Sequence, residues 1–166
     1  MSNYMSNFFL RIFRLQPGEG LLVFALGFLL FGNSLARQVS GIVAVSGFLN
    51  SSNVNDILLV LLVDYALILL VAGLQSLIVD RFNRIKLMSG ITRTCASVFV
   101  GLRLMFVFSD LHWLNYSAMY LVAAQQLVLF PITFWVLAND VFNFSQVQRL
   151  FPLIASWSFV GKLAGI

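Results

Sequence analysis

Charge is scarce in this chain. Of 166 residues, ten are Lys or Arg and six are Asp or Glu, so 10% carry charge while 60% are hydrophobic. A water-soluble domain carries about 25% charged residues. The deficit argues against a soluble domain and for an integral membrane protein. Cysteine occurs once, as Cys95, which excludes an internal disulfide and a cysteine-based metal cluster. Within its apolar segment Cys95 reads as a small packing residue. Histidine occurs once, as His112, in a short connector, and reads as solvated. The chain has no H-E-x-x-H, no G-x-x-x-x-G-K-[ST] and no G-x-S-x-G. Nothing pairs a nucleophile with a base, so no catalytic residue, no metal and no cofactor is expected, and the chain does not read as an enzyme. Period-2 alternation is missing from the long apolar runs. That disfavours a transmembrane barrel and leaves an all-α, polytopic bundle of transmembrane helices.

What the chain does have is a series of apolar runs. Residues 1–19 form a leader in which Phe8, Phe9, Leu10, Ile12, Phe13 and Leu15 interleave with Arg11 and Arg14. This suits a short helix in the membrane interface, or a partly ordered arm. Pro17-Gly18 ends it, and Glu19 favours the start of the next helix. The bundle occupies 20–166, with spans expected near 21–48, 57–79, 87–108, 116–137 and 150–166. The first is longer than the roughly 20 residues of one crossing. It is interrupted by Gly32-Asn33-Ser34, Arg37-Gln38 and Ser40-Gly41, which gives it a polar middle and outer portion where it can bend. Gly161 and Gly165 form a G-x-x-x-G in the last span, suited to close helix packing.

Charge placement orients the bundle. Arg11, Arg14, Arg81, Arg84, Lys86 and Arg149 fall on one side, while 50–56 and 109–115 hold no Lys or Arg. By the positive-inside rule the basic side is cytoplasmic, and the N-terminus with it. The net charge of +4 is thereby accounted for by membrane topology, and no nucleic acid is implied.

Besides Arg93, near the start of the third span, four ionisable residues fall within the spans: Arg37, Asp64, Arg103 and Lys162. Each costs about 2.5–3.5 kcal/mol at the bilayer centre on insertion scales, so each needs a cavity or a partner. At 1.5 Å per residue, Asp64 and Arg103 lie roughly 10 Å from the outer surface, and Arg37 and Lys162 roughly 20 Å or more from the inner edge. Three positive charges and one negative in the outer half would draw a small-molecule anion into a wet pocket. The bland readings are that Arg103 snorkels to the interface and that Asp64 is a counter-ion to Arg37 or Arg103. Arg37 is the leading binding candidate, because Asn33, Ser34, Gln38 and Ser40 surround it. Gln125 and Gln126 sit near mid-span four; one faces the cavity and the other bonds a neighbouring helix.

The loop Asp80-Arg81-Phe82-Asn83-Arg84-Ile85-Lys86 is short and mostly basic, with four of its seven residues charged. It resembles the loop motif of the major facilitator superfamily, G-x-x-x-D-R-x-G-R-[RK], with Ser76 and Asn83 in place of the two glycines. A second stretch, Phe134 to Phe142 with Asn139 and Asp140, followed by Gln146 to Ile154 with Arg149, resembles the fourth-to-fifth-span region of the ATP/ADP translocase-related branch. Leu15-Gln16-Pro17-Gly18-Glu19 is similar to the start of such proteins. After Arg37 the chain reads Gln38-Val39-Ser40-Gly41, without the Lys-Asp of nucleotide exchangers.

The resemblance implies the N-terminal five of twelve helices. It also implies secondary transport of a small organic anion, nucleotide-like or otherwise, in a bacterial inner membrane. On that footing Arg37, Asn33, Asp64, Gln125 and Lys162 are candidate substrate-binding residues. Asp80, Arg81, Arg84 and Lys86 form a gating loop, and Asn139, Asp140 and Arg149 a second loop motif. The partners are the lipid bilayer, the anion and a C-terminal half. The alternative is a small complete multi-pass scaffold protein without transport activity.

Overall fold

The computed structural model describes residues 18–51, 53–79, 81–108 and 112–166. Most of the expected 1–19 leader, with its interfacial helix, and the expected gating residue Asp80 lie outside these residues. Five helices follow one another: α1 (Glu19–Ser51), α2 (Val54–Val79), α3 (Arg84–Phe108), α4 (His112–Val141) and α5 (Phe144–Ala164). Among the described residues there is no strand. The expected all-α bundle is what forms.

Local chemistry sets the helix starts. Gly18 takes a φ of +99°, a conformation that suits glycine, and Glu19 then opens α1 beside its positive dipole end. Three other helices each begin directly after an asparagine. Asn53 precedes α2, and its backbone N–H donates to Asp56 Oδ2 at 3.3 Å. Asn83 precedes α3, and its Oδ1 accepts from the backbone N–H of Ile85 at 3.1 Å and of Lys86 at 3.4 Å. Asn143 precedes α5, and its N–H donates to Gln146 Oε1 at 3.0 Å. These bonds occupy backbone and side-chain groups that a helix terminus otherwise leaves to water.

The caps push the helices past the apolar runs. α2 starts at Val54 and α3 at Arg84, where the apolar spans begin only at 57 and 87. The stretch 138–149, expected as a loop, is mostly helical: α4 runs on to Val141 and α5 restarts at Phe144. α1 passes through its polar middle without a break. Its 33 residues make it about 50 Å long at 1.5 Å per residue, which exceeds the hydrocarbon thickness.

α1 to α4 are each long and apolar enough to cross a membrane, and they mark a multi-pass membrane protein. Leu62, Leu69, Leu77, Val100, Val107 and Phe108 are all more than half exposed, as lipid-facing side chains are. α2 buries one face, marked by Val60, Asp64, Gln75 and Val79, and exposes large apolar residues over the rest of its circumference, from Leu58 and Leu59 to Leu77 and Ile78. α5 is less apolar, because Gln146, Gln148 and Arg149 occupy its first two turns and Lys162 its last.

Two compact units divide the chain: residues 1–36 with 138–166, and 37–137. In the first, α5 runs parallel to the first half of α1. At the start of both helices Arg149 Nη2 donates to both Glu19 carboxylate oxygens, at 2.9 and 2.8 Å, and Gln146 Nε2 donates to Glu19 Oε1 at 2.7 Å. Further along, Trp157 lies over Gly27 and meets Phe24 edge-on at 5.5 Å. Ser34 and Ser158 share a hydroxyl hydrogen bond of 2.7 Å. Gly161 seats against the backbone of Phe31. Small residues let two helix backbones approach, which is what drives association in lipid. The G-x-x-x-G thus divides its labour: Gly161 is the notch, and Gly165 ends the helix with its N–H on the Lys162 carbonyl.

A methyl group at Gly161 would lie 2.5 Å from the Phe31 carbonyl oxygen, whereas one at Gly90 would meet nothing within 4 Å. Gly161→Ala should therefore cost about 1–3 kcal/mol by overpacking, and Gly90→Ala nothing measurable. Denaturant unfolding in detergent micelles checks this, and equal stability of the two variants would contradict the parallel α1–α5 seat.

Candidate functional site

In the second unit α4 is the helix that the others pack around. Ala123, Phe130, Phe134 and Leu137 are its buried apolar positions in this unit, and Asn115, Ser117, Gln126 and Thr133 its buried polar ones. Tyr116 stacks edge-on with Phe106 of α3 at 5.1 Å and covers Gly47 of α1. Asn115 Nδ2 reaches the Met105 carbonyl at 3.5 Å. α3 and α4 are therefore joined as an antiparallel pair close to their connection.

α2 meets α4 in parallel, through two polar rungs. In the first, Gln125 Nε2 donates to Asp64 Oδ1 at 3.3 Å. Asp64 is 5% exposed, which makes it the one buried carboxylate on these helices among the described residues. Tyr120, a little over one turn before Gln125, is within electrostatic reach of it. In the second rung, Gln75 Nε2 donates both to the Leu129 carbonyl and to Thr133 Oγ1, each at 2.7 Å. Pro131 stands within this part of α4 and removes an N–H from the helical ladder.

Two acceptors in this seam are buried without a hydrogen-bond partner among the described residues: Gln75 Oε1 and Gln125 Oε1. A buried carbonyl oxygen left unpaired is a costly group, and it marks a place where a water, a cation or a polar part of a solute gains a hydrogen bond. The seam thus has acceptors and a carboxylate inside an otherwise apolar wall. Beside it, toward the start of α2, Val45, Phe48, Val60, Leu61 and Tyr120 enclose a small apolar cavity of about 170 Å³.

The candidate residues are only partly brought together. Asp64 and Gln125 are in contact. The counter-ion role expected of Arg37 or Arg103 for Asp64 is not what forms: the partner at hydrogen-bond distance is the Gln125 amide. Arg37 is half-buried on α1. Arg103 is exposed and lines a cleft of about 560 Å³ with Val43, Phe99, Phe106, Tyr116 and Met119. In the other unit Asn33 is half-buried on α1, and Lys162 is exposed in the last turn of α5. Gln126 is buried on α4 beside Gln125.

Of the loop expected to gate, Arg81 and Lys86 are exposed, and Arg84 is half-buried as the first residue of α3. Asn139 and Asp140 are exposed on the last turn of α4. Arg149 stands on α5 and holds Glu19. Asn83, one of the two glycine replacements, serves as the N-cap of α3. The other, Ser76, donates its hydroxyl to the Gly73 carbonyl within α2.

Sequence reasoning missed Gln75, Thr133 and Asn115. The signal for Gln75 was present: an amide within an otherwise apolar span needs a partner, as Asp64 does. Glu19 was assigned to its own helix start, and its pairing with Arg149 requires knowing that α1 and α5 are neighbours. Comparison with protein-family models, with curated proteins and with solved structures gave no match.

The Gln75 rung predicts a measurable coupling. Interhelical side-chain bonds in membrane proteins average about 0.6 and reach about 1.7 kcal/mol. In a double-mutant cycle, Gln75→Leu and Thr133→Val should show a coupling in that range, with the double variant less destabilised than the two singles added. Additive effects would contradict the bond.

Proposed function

We propose that the chain is the N-terminal part of a secondary transporter of the major facilitator type, resembling its nucleotide-transporter-like branch. On this reading it moves a small organic anion across a bacterial inner membrane by alternating access, with its N-terminus in the cytoplasm. The observation that carries the reading is the polar seam between α2 and α4. A helix bundle built only as an anchor has no use for a buried carboxylate and two unpaired amide oxygens, each expensive to hold in hydrocarbon. A solute pathway has use for all three, because passing polar groups bind there in turn.

Arg37 is the residue assigned to the anion. It belongs to the stretch of α1 where Asn33, Ser34, Gln38 and Ser40 interrupt the apolar run. Substrate then lies near the midplane, as in transporters assembled from related halves. The basic turn at Arg81 and the first residues of α3 form the cytoplasmic latch, which acts by holding one conformation more tightly than the other. Asn83 in place of glycine suits that role, since its cap fixes the first turn that carries Arg84 and Lys86.

Arg37→Ala in the full-length transporter, reconstituted in proteoliposomes, should lower uptake of a labelled organic anion by about tenfold or more, the loss of one contact of about 1.4 kcal/mol. Membrane insertion should be unchanged. A panel of anions that includes nucleotides identifies the substrate. Uptake unaffected by the substitution would remove Arg37 from the site, and saturable uptake by residues 1–166 alone would contradict the half-transporter reading.

A further inference from the structure

The start of α3 and the middle of α4 enclose a groove of about 410 Å³ that plays no part in the anion site proposed above, though Asn83 and Lys86 at its mouth also belong to the proposed latch. Its residues change character along its length. At one end are Phe82, Asn83 and Lys86, at the start of α3. Further in it is walled by Leu87, Ile91, Thr94 and Cys95 of α3 and Leu129 of α4, apolar but for the Thr94 hydroxyl. Gly90 forms part of the floor, and a Cβ built there would meet nothing within 4 Å, so the missing side chain keeps the groove open. Among the described residues no acidic side chain lines it. Lys86 is exposed, and Arg81 is exposed in the turn that leads into α3.

Length matches chemistry. From Lys86 to Cys95 the groove follows α3 for about 14 Å at 1.5 Å per residue. One leaflet is about half of the roughly 30 Å hydrocarbon core. The groove therefore has a cation at the interface and an apolar bed one leaflet deep. A molecule with an anionic head and a hydrocarbon tail fits both ends at once. A free anion uses only the first, and a neutral lipid only the second.

We propose that this groove is a binding site for one anionic phospholipid, with its phosphate on Lys86, supported by Arg81, and an acyl chain laid past Gly90 toward Cys95. A juxtamembrane basic residue adds about fivefold to the binding of an anionic lipid. The neighbouring residues Phe82 and Asn83 bracket the headgroup level, where aromatic and polar side chains ordinarily lie. The site does not depend on transport, and it stands or falls apart from the anion site at Arg37.

The test uses the full chain in mixed micelles with equal amounts of phosphatidylglycerol and phosphatidylcholine, with retained lipid counted by mass spectrometry of the intact protein. The wild type should retain one phosphatidylglycerol in preference to phosphatidylcholine. Lys86→Gln should reduce that preference about fivefold. Gly90→Leu, which fills the groove and leaves every charge in place, should abolish retention, with an unchanged helical spectrum in both variants. Inorganic phosphate should not displace the lipid. Loss in Lys86→Gln with full retention in Gly90→Leu would reduce the effect to surface charge and overturn the site. Retention unaffected by either substitution would overturn it too, as would displacement by phosphate, which would make the headgroup alone the ligand.

Discussion

Inside hydrocarbon a polar group has no water to turn to, so it must find its partner within the protein. That constraint decides more of this structure than hydrophobicity does. Apolar side chains tolerate lipid and protein alike, and α2 is apolar on the face it buries, at Val60 and Val79, as on the face it exposes, at Leu62, Leu69 and Leu77. They therefore say little about which helices become neighbours. The polar residues do. Asp64 reaches Gln125, Gln75 reaches Leu129 and Thr133, Ser34 meets Ser158, and Glu19 holds Arg149. Each bond joins two helices in parallel, α2 with α4 or α1 with α5, and each removes a group that would otherwise be stranded.

The same constraint acts at the helix ends, with the opposite solution. Asn53, Asn83 and Asn143 lie where water and headgroups begin, and they each start a helix by hydrogen bonding across its first turn. The Asn83 cap bears on the proposed latch. A glycine there would leave the first turn of α3 to fray, while asparagine fixes the turn that presents Arg84 and Lys86. Set against the major facilitator motif that the loop resembles, asparagine in place of glycine trades flexibility for a set geometry. On the proposed reading this basic turn is a firm edge of the gate, and the mobile element lies elsewhere.

Much of the fold was legible because long apolar runs have few alternatives: they form helices, and their number and order follow from composition. Helix ends were less legible, since Ala138–Val141 and Phe144–Arg149 are polar enough to read as loop, yet caps and packing keep them helical. Of the site, the residue types were visible and their pairing was not. Asp64 was recognised as needing a partner, but the choice of Gln125 over an arginine depends on which face of α4 turns toward α2. Helical periodicity cannot supply that when apolar residues surround the polar one on all sides. Gln75 and Thr133 were missed for the same reason: their relation is a property of two helices, fifty-eight positions apart along the chain.

On the proposed reading the helices cross the membrane alternately and the basic turns share the cytoplasmic side. Replacing Cys95 by Ser leaves a cysteine-free chain, into which single cysteines at Asn53, Asn83, Trp113 and Asn143 can be placed. Labelling of intact cells with a membrane-impermeant maleimide then tests the threading directly. Asn53→Cys and Trp113→Cys should react from outside, and Asn83→Cys and Asn143→Cys only after permeabilisation. Reaction of Asn143→Cys together with Trp113→Cys, or of Asn83→Cys together with Asn53→Cys, would contradict it.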